Sequence, residues 1–381
     1  GDLRWKAPVA PQPWKGTMET RNFSAKSVQF SIFPSGSVTG EEDCLYLNVW
    51  RPSTEKTDLP VYVWIHGGGN SSGAADQLPD YEGTAFCKRI PAVYVSFNYR
   101  LGPFGWFTHP AFRNDPSRSE EDASGNYGLL DILQALRWVR ENIAAFGGDP
   151  SNITVAGESA GGINIIALLM SPLSEGLFHK AVIRSGGIMT SELTAGDISS
   201  AKLLLGLLKR DGYAKYDAVK KLVEMDNAEI RSYLYAKSPE EILSGYNPTI
   251  YGMIGLPVIF RDGYVIPSEG KQVLQNGTYS QKIPIIIGSN TDEVKLFLYW
   301  NKKLRKDELL YNAATEYGSN LWKANGVDSL AQWLSSHEDQ PPVYGYEFRW
   351  GSQQENGEST LPCNRGYALG ACHGLDIPFF A

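Results

Sequence analysis

One pentapeptide constrains this chain more than any bulk property does: Gly157-Glu158-Ser159-Ala160-Gly161. The residues before it, Ile153-Thr154-Val155-Ala156, are apolar and β-branched and predict a buried strand. Those after it, from Gly162 through Ile166, Leu168, Leu169 and Met170, predict a helix. A strand that turns directly into a helix around a serine set between glycines is the nucleophile-elbow arrangement. The backbone crowds itself at such a turn, so positions 157 and 161 leave no room for side chains. The serine oxygen is then held at the carboxyl edge of a sheet. The unpaired N–H groups of a helix start lie just behind it.

The rest of the chain supplies a sheet for that turn. Apolar strand-like runs recur at 45–50, 61–65, 92–97, 153–157, 181–185, 284–288 and 342–348. Helical patterns lie between several of them. Over 128–146, Leu129, Ile132, Leu133, Leu136, Val139, Ile143 and Phe146 follow helical spacing, and Gly147-Gly148 stop the helix. Such alternation predicts an α/β fold with a mostly parallel central sheet flanked by helices. The interval 190–245 is charged and helical in pattern, with no strand; it is read as a lid-like insertion over the sheet's carboxyl edge. The whole of 1–381 is read as one catalytic domain.

Composition sets limits on partners. A net charge of −7 gives no reason to expect nucleic acid, and no apolar run is long enough to span a bilayer. No cofactor and no metal site is expected. No secretory leader is visible, and the location is left open, with a secreted or periplasmic one favoured over the cytoplasm. The four cysteines are too few for a disulfide framework, although Cys363 and Cys372 are close enough in sequence to pair across a loop. The Asn-x-Ser/Thr sites at Asn22, Asn70, Asn152 and Asn276 are no more than chance supplies.

A serine hydroxyl needs a base, an orienter for the base and donors for an oxyanion. The strand Val61-Tyr62-Val63-Trp64-Ile65 runs into His66-Gly67-Gly68-Gly69, a glycine loop whose N–H groups can approach a ligand closely. Gly68 and Gly69, together with Ala160, are the expected oxyanion donors. Behind an elbow serine the acid and then the histidine follow in chain order. Only His337 and His373 are late enough, and His373, in a loop before Gly374, is preferred. His337 lies in a polar stretch and is expected to face solvent. Asp292 and Glu293, just past the strand Pro284-Ile285-Ile286-Ile287-Gly288, are both chemically able to be the acid.

With these residues in place, the chain resembles the type-B carboxylesterases, cholinesterase-like members of the α/β-hydrolase fold, in their bacterial form. Glu42-Asp43-Cys44-Leu45-Tyr46-Leu47-Asn48-Val49-Trp50 is similar to the family's second signature. The glycine loop, Asn98-Tyr99-Arg100-Leu101-Gly102, Ala135-Leu136-Arg137-Trp138-Val139, Phe146-Gly147-Gly148-Asp149-Pro150, the elbow, Ser185-Gly186-Gly187, Asp262-Gly263 and His373-Gly374 match in order. The resemblance is weakest over 190–245 and 300–360. It implies a Ser-Glu-His triad of Ser159, Glu293 and His373 acting on a small-molecule carboxylic ester through an acyl-enzyme. It also implies that Glu158, Ser185 and Asp376 are supporting polar groups that do not react.

Some positions depart from the family pattern. The residue after the three glycines is usually aromatic and is Asn70 here, which is expected to line the substrate pocket and favour a polar ester, the alternative being that it only bonds local backbone and shapes the loop. No cysteine precedes Cys44, so the early disulfide loop of the cholinesterases is absent and a choline ester is not expected. The chain also begins after the family's opening strands and ends just past the histidine loop. Two alternatives remain: a non-catalytic adhesion domain of the same fold, and a lactone, thioester, amide or carbamate hydrolase on the same triad.

Overall fold

The computed structural model describes residues 3–380 except 33–35, 250, 355, 363 and 364. A short antiparallel pair, β1 (Gln29–Phe30) and β2 (Val38–Thr39), precedes the main sheet. That sheet has seven strands: β3 (Leu47–Trp50), β4 (Leu59–Ile65), β5 (Val93–Phe97), β6 (Gly148–Glu158), β7 (Lys180–Arg184), β8 (Ile285–Asn290) and β9 (Val343–Phe348). Their spatial order is β3-β5-β4-β6-β7-β8-β9. Only the β3–β5 pair is antiparallel. All seven runs expected from the sequence are strands of this sheet.

Register makes one face continuously apolar. Val95, Val63, Val155, Ala181 and Ile285 stand side by side across five strands, all nearly unexposed. Helices α1 (Tyr127–Asn142) and α2 (Ala160–Met170) bury their apolar residues in the same core, including Leu129, Leu133, Leu136, Ile165 and Leu169. A 3₁₀ turn, Ile143–Phe146, extends α1, and Gly147 ends it in the left-handed region at φ 77°. The opposite face carries the alternate row Trp64, Ala156, Val182, Ile286 and Tyr344. It is less covered there: Ile286 is 41% and Tyr344 63% exposed.

The interval 190–245 is helical as read: α3 (Leu193–Arg210), α4 (Lys215–Glu224), α5 (Asn227–Tyr235) and α6 (Pro239–Leu243). Capping boxes start α5 (Asp226 with Glu229) and α6 (Ser238 with Glu241). Its polar anchors reach 108–118: Arg113 pairs bidentately with Asp197 at 2.8 and 2.9 Å, and Arg231 donates to the Ala111 carbonyl. Farther on lie α7 (Lys295–Leu298) and α8 (Glu308–Lys323). Among the described residues no helix is long and apolar enough to cross a membrane. The expected Cys363–Cys372 pairing lies outside the described residues.

The strand order places the site. From β4 the chain crosses to β5 on one side, while β6 lies on the other. Loops leaving the carboxyl ends of β4 and β6 therefore part over a crevice at this switch point, where α/β sheets bind ligands.

Candidate active site

β6 delivers Ser159 to that crevice. Its backbone is held at φ 56°, ψ −121°, a conformation that costs a non-glycine residue about 1–3 kcal/mol. The surrounding backbone enforces it. A Cβ at Gly157 would lie 2.6 Å from the Gly161 carbonyl carbon, and one at Gly161 would lie 2.0 Å from the Ile65 oxygen. The Ser159 N–H donates to the Arg184 carbonyl at 2.9 Å, tying the turn to the end of β7. α2 begins at the next residue, and Ser159 remains partly exposed.

The glycine loop leaves β4 directly beside this turn. A Cβ on Gly67 would meet the Glu158 carbonyl oxygen at 2.8 Å, so only glycine lets loop and elbow touch. Gly68 and Gly69 continue at φ 106° and 63°. The Gly68 carbonyl accepts from the N–H groups of Ser71 and Ser72, at 3.2 and 2.9 Å. Among the described residues the N–H groups of Gly68, Gly69 and Ala160 donate to no other group. His66 is an internal prop. It stacks on Tyr99 at 4.4 Å and bonds the Gly67 carbonyl through Nδ1 at 2.8 Å. Burial pushes its imidazole down to about 4, so it is neutral at pH 7.

Asn70 does not take the pocket-lining position expected of it. It is 1% exposed, and its amide pairs with that of Asn164 on α2 through bonds of 3.1 and 2.8 Å. The Tyr99 hydroxyl approaches the same Asn70 oxygen at 3.4 Å. A buried amide satisfied by protein partners is not available to select a polar ester.

His373 and Glu293 arrive from the far side of the sheet. β8 ends at Asn290, and its N–H donates to Glu293 Oε1 at 2.7 Å, turning the fully buried carboxylate inward. Glu293 Oε2 accepts from His373 Nδ1 at 2.5 Å, across 80 residues of sequence. Asp292 is engaged elsewhere: it accepts from the Ala371 N–H at 2.9 Å and the Ser352 hydroxyl at 2.6 Å, and pairs with Lys295 at 2.9 Å. The histidine loop is also pinned by Asn290 Nδ2, which donates to the Cys372 carbonyl at 2.7 Å. His337 is not solvent-facing as expected. It is half-buried and donates from Nε2 to the Leu274 carbonyl at 2.9 Å, far from this cluster in the fold.

The second nitrogen of His373 points at the elbow. Nε2 lies 3.2 Å from Glu158 Oε1, on the residue before Ser159. Among the described residues the Ser159 hydroxyl forms no hydrogen bond, so the expected serine–histidine contact is not made. Such contacts commonly tighten only with substrate bound. Burial opposes charge on His373, but Glu158 and Glu293 outweigh it and raise the imidazole above its ordinary range. Burial likewise raises the Glu158 carboxyl to about 7.

Ser185 and Asp376 sit behind these groups. Ser185 is fully buried at φ 48°, and its hydroxyl has no partner among the described residues. Asp376 is buried against Arg184 at 2.9 Å, an ion pair with both side chains 0% exposed. Arg184 and Asn164 were not anticipated from the sequence. A charge closing the apolar strand Lys180-Ala181-Val182-Ile183-Arg184 was the available signal for the first. An asparagine inside the apolar helix after the elbow was the signal for the second.

A serine elbow at a sheet switch point, beside a glycine loop and facing a carboxylate-bound histidine, defines an α/β hydrolase. The match to the carboxylesterase family model runs over residues 1–325, and the chain belongs to that family. It is 37% identical to fumonisin B1 esterase of Sphingopyxis macrogoltabida over 87% of this chain and 56% of that protein. With para-nitrobenzyl esterase of Bacillus subtilis it shares 33% identity over 100% of this chain and 76% of that protein. A solved PNB esterase structure aligns with TM-score 0.75 and 30% identity, covering 100% of this chain and 76% of its own. The chain therefore spans little more than half the length of one such relative and about three quarters of the other.

Proposed function

We propose that the chain hydrolyses carboxylic esters through an acyl-enzyme formed on Ser159. The observation that carries this reading is the 2.5 Å bond from His373 Nδ1 to Glu293, with Nε2 turned toward the elbow. Glu293 fixes the tautomer that leaves Nε2 free to accept a proton, and it stabilises the imidazolium that results. As Ser159 Oγ attacks the ester carbonyl, its proton passes to His373 Nε2. Charge then develops on the carbonyl oxygen, within reach of the N–H groups of Gly68, Gly69 and Ala160. Collapse of the tetrahedral intermediate breaks the bond to the alcohol oxygen, which takes the proton from His373. Water, deprotonated by the same nitrogen, then releases the acid and restores Ser159. Glu158, Ser185 and Asp376 support this arrangement without reacting.

Membership of a family whose relatives are named as esterases supports the same class. The test is a panel of matched esters, lactones, amides and carbamates with the purified chain. Ester turnover preceded by a burst of released alcohol is expected. A folded chain that cleaves amides or lactones but no ester would overturn the assignment, and one that cleaves none of them would overturn the enzymatic reading.

A further inference from the structure

The proposed oxyanion site has two halves on separate elements. Gly68 and Gly69 belong to the loop after β4, whereas Ala160 begins α2. The near end of the loop is set sterically, by the contact of Gly67 with the Glu158 backbone. Farther along, Gly68 and Gly69 are hemmed by the Ser72 carbonyl and by Met253, and neither contact ties the loop to α2. Among the described residues the Gly69 N–H donates to no group, and the next residue, Asn70, is a non-glycine at φ 55°.

The Asn70–Asn164 pair closes this gap. Asn164 lies four residues beyond Ala160, one turn along the same face of α2. Each side-chain amide donates to the other, at 3.1 and 2.8 Å, with Asn70 1% and Asn164 0% exposed. The Asn70 carbonyl accepts from the Gly102 N–H at 2.8 Å, which fixes the backbone on its outer side. Reciprocal amide bonds at a buried site are directional, and removing Asn164 leaves Asn70 only the 3.4 Å contact with the Tyr99 hydroxyl.

We propose that Asn70 and Asn164 are positioning residues that lock the glycine loop onto the elbow helix, so that the N–H groups of Gly68, Gly69 and Ala160 act as one rigid set. The pair serves the transition state, since those N–H groups matter most once charge has developed on the carbonyl oxygen. This inference rests on the esterase reading above.

The test uses Asn70→Gly, which removes the amide but keeps the positive φ accessible, Asn164→Leu, and the double variant. Active sites are counted by fluorophosphonate titration, so that unfolded chain does not enter the rates. Each single variant is expected to lose about 10- to 100-fold in kcat with KM changed little, because a displaced donor set costs part of what a deleted donor costs. Affinity for a trifluoromethyl ketone, which forms a tetrahedral adduct on the serine, should fall in parallel with kcat/KM. The double variant should lose little more than either single one, because the amides act as a unit. Thermal midpoint is measured on all variants. Lowered midpoints with wild-type kcat per titrated site and unchanged ketone affinity would overturn the proposal and leave the pair purely structural. Losses that multiply in the double variant would overturn the coupling of the two residues. If the wild-type chain hydrolyses no ester, it is the esterase reading that fails.

Discussion

The two sides of the site are built by different physics. The elbow and the near end of the glycine loop are fixed by sterics. Gly157, Gly161 and Gly67 stand where a Cβ would come within 3.0 Å of backbone, and the Ser159 conformation follows. The histidine side is fixed by polar bonds between segments far apart in sequence. Glu293, Asn290 and Asp292 each hold a different atom of the loop 371–373. The first side should therefore resist solvent conditions and fail on added volume. The second should tolerate isosteric changes in stability and fail in rate.

Gly161→Ala probes the steric side and should have the largest effect on the fold. A Cβ 2.0 Å from the Ile65 oxygen forces β4 and the elbow apart, at an expected cost at or beyond the usual overpacking range of about 1–3 kcal/mol. Denaturant midpoints measure it; an unchanged midpoint would mean the turn is looser than the 2.0 Å spacing implies.

On the polar side, His373→Ala should lower kcat by about four orders of magnitude or more while the chain stays folded. His337→Ala should leave kcat close to wild type. Comparable losses in the two variants would remove the distinction between them.

Glu293→Gln should cost about 10²- to 10⁴-fold in kcat, since the amide no longer fixes the imidazole tautomer or stabilises its cation. Asp292→Asn should act mainly on stability, through its bonds to Ala371 and Ser352 and its pairing with Lys295. Finding the larger rate loss at Asp292 would exchange their roles.

The smallest predicted effect is a shift in pH profile. His373 must be neutral to accept a proton, and both Glu158 and Glu293 hold its proton on. Glu158→Gln removes one of these charges, so the acid limb of kcat/KM should move to lower pH. A shift to higher pH, or none, would show that Glu158 does not act on the imidazole.

The same contrast explains what could be read in advance. Gly157, Gly161 and the glycine loop were legible because the constraint they answer is local: a tight turn needs missing side chains wherever it occurs. The strands were legible because alternate Val and Ile positions report burial directly. Asp292 and Glu293 could not be separated on chemistry, being adjacent carboxylates after the same strand. The Asn290 N–H takes up Glu293 locally, whereas the Ala371 N–H on Asp292 and the His373 ring on Glu293 come from a loop about 80 residues on. His337 was misread because a polar neighbourhood in sequence does not exclude burial; its ring packs beneath Gly277 and beside Tyr279. Of the two readings of Asn70, the structure carries the one in which its side chain shapes the loop. Its partner, Asn164, is supplied by another element, and a side chain beside an oxyanion loop need not face the ligand.

The central claim, that Ser159 is the covalent nucleophile, is tested most directly by intact-protein mass spectrometry after reaction with a fluorophosphonate. One adduct per folded chain, mapping to the peptide that contains Ser159 and absent from Ser159→Ala, is the predicted result. Labelling that persists in a folded Ser159→Ala chain, or that maps to another residue, would contradict it.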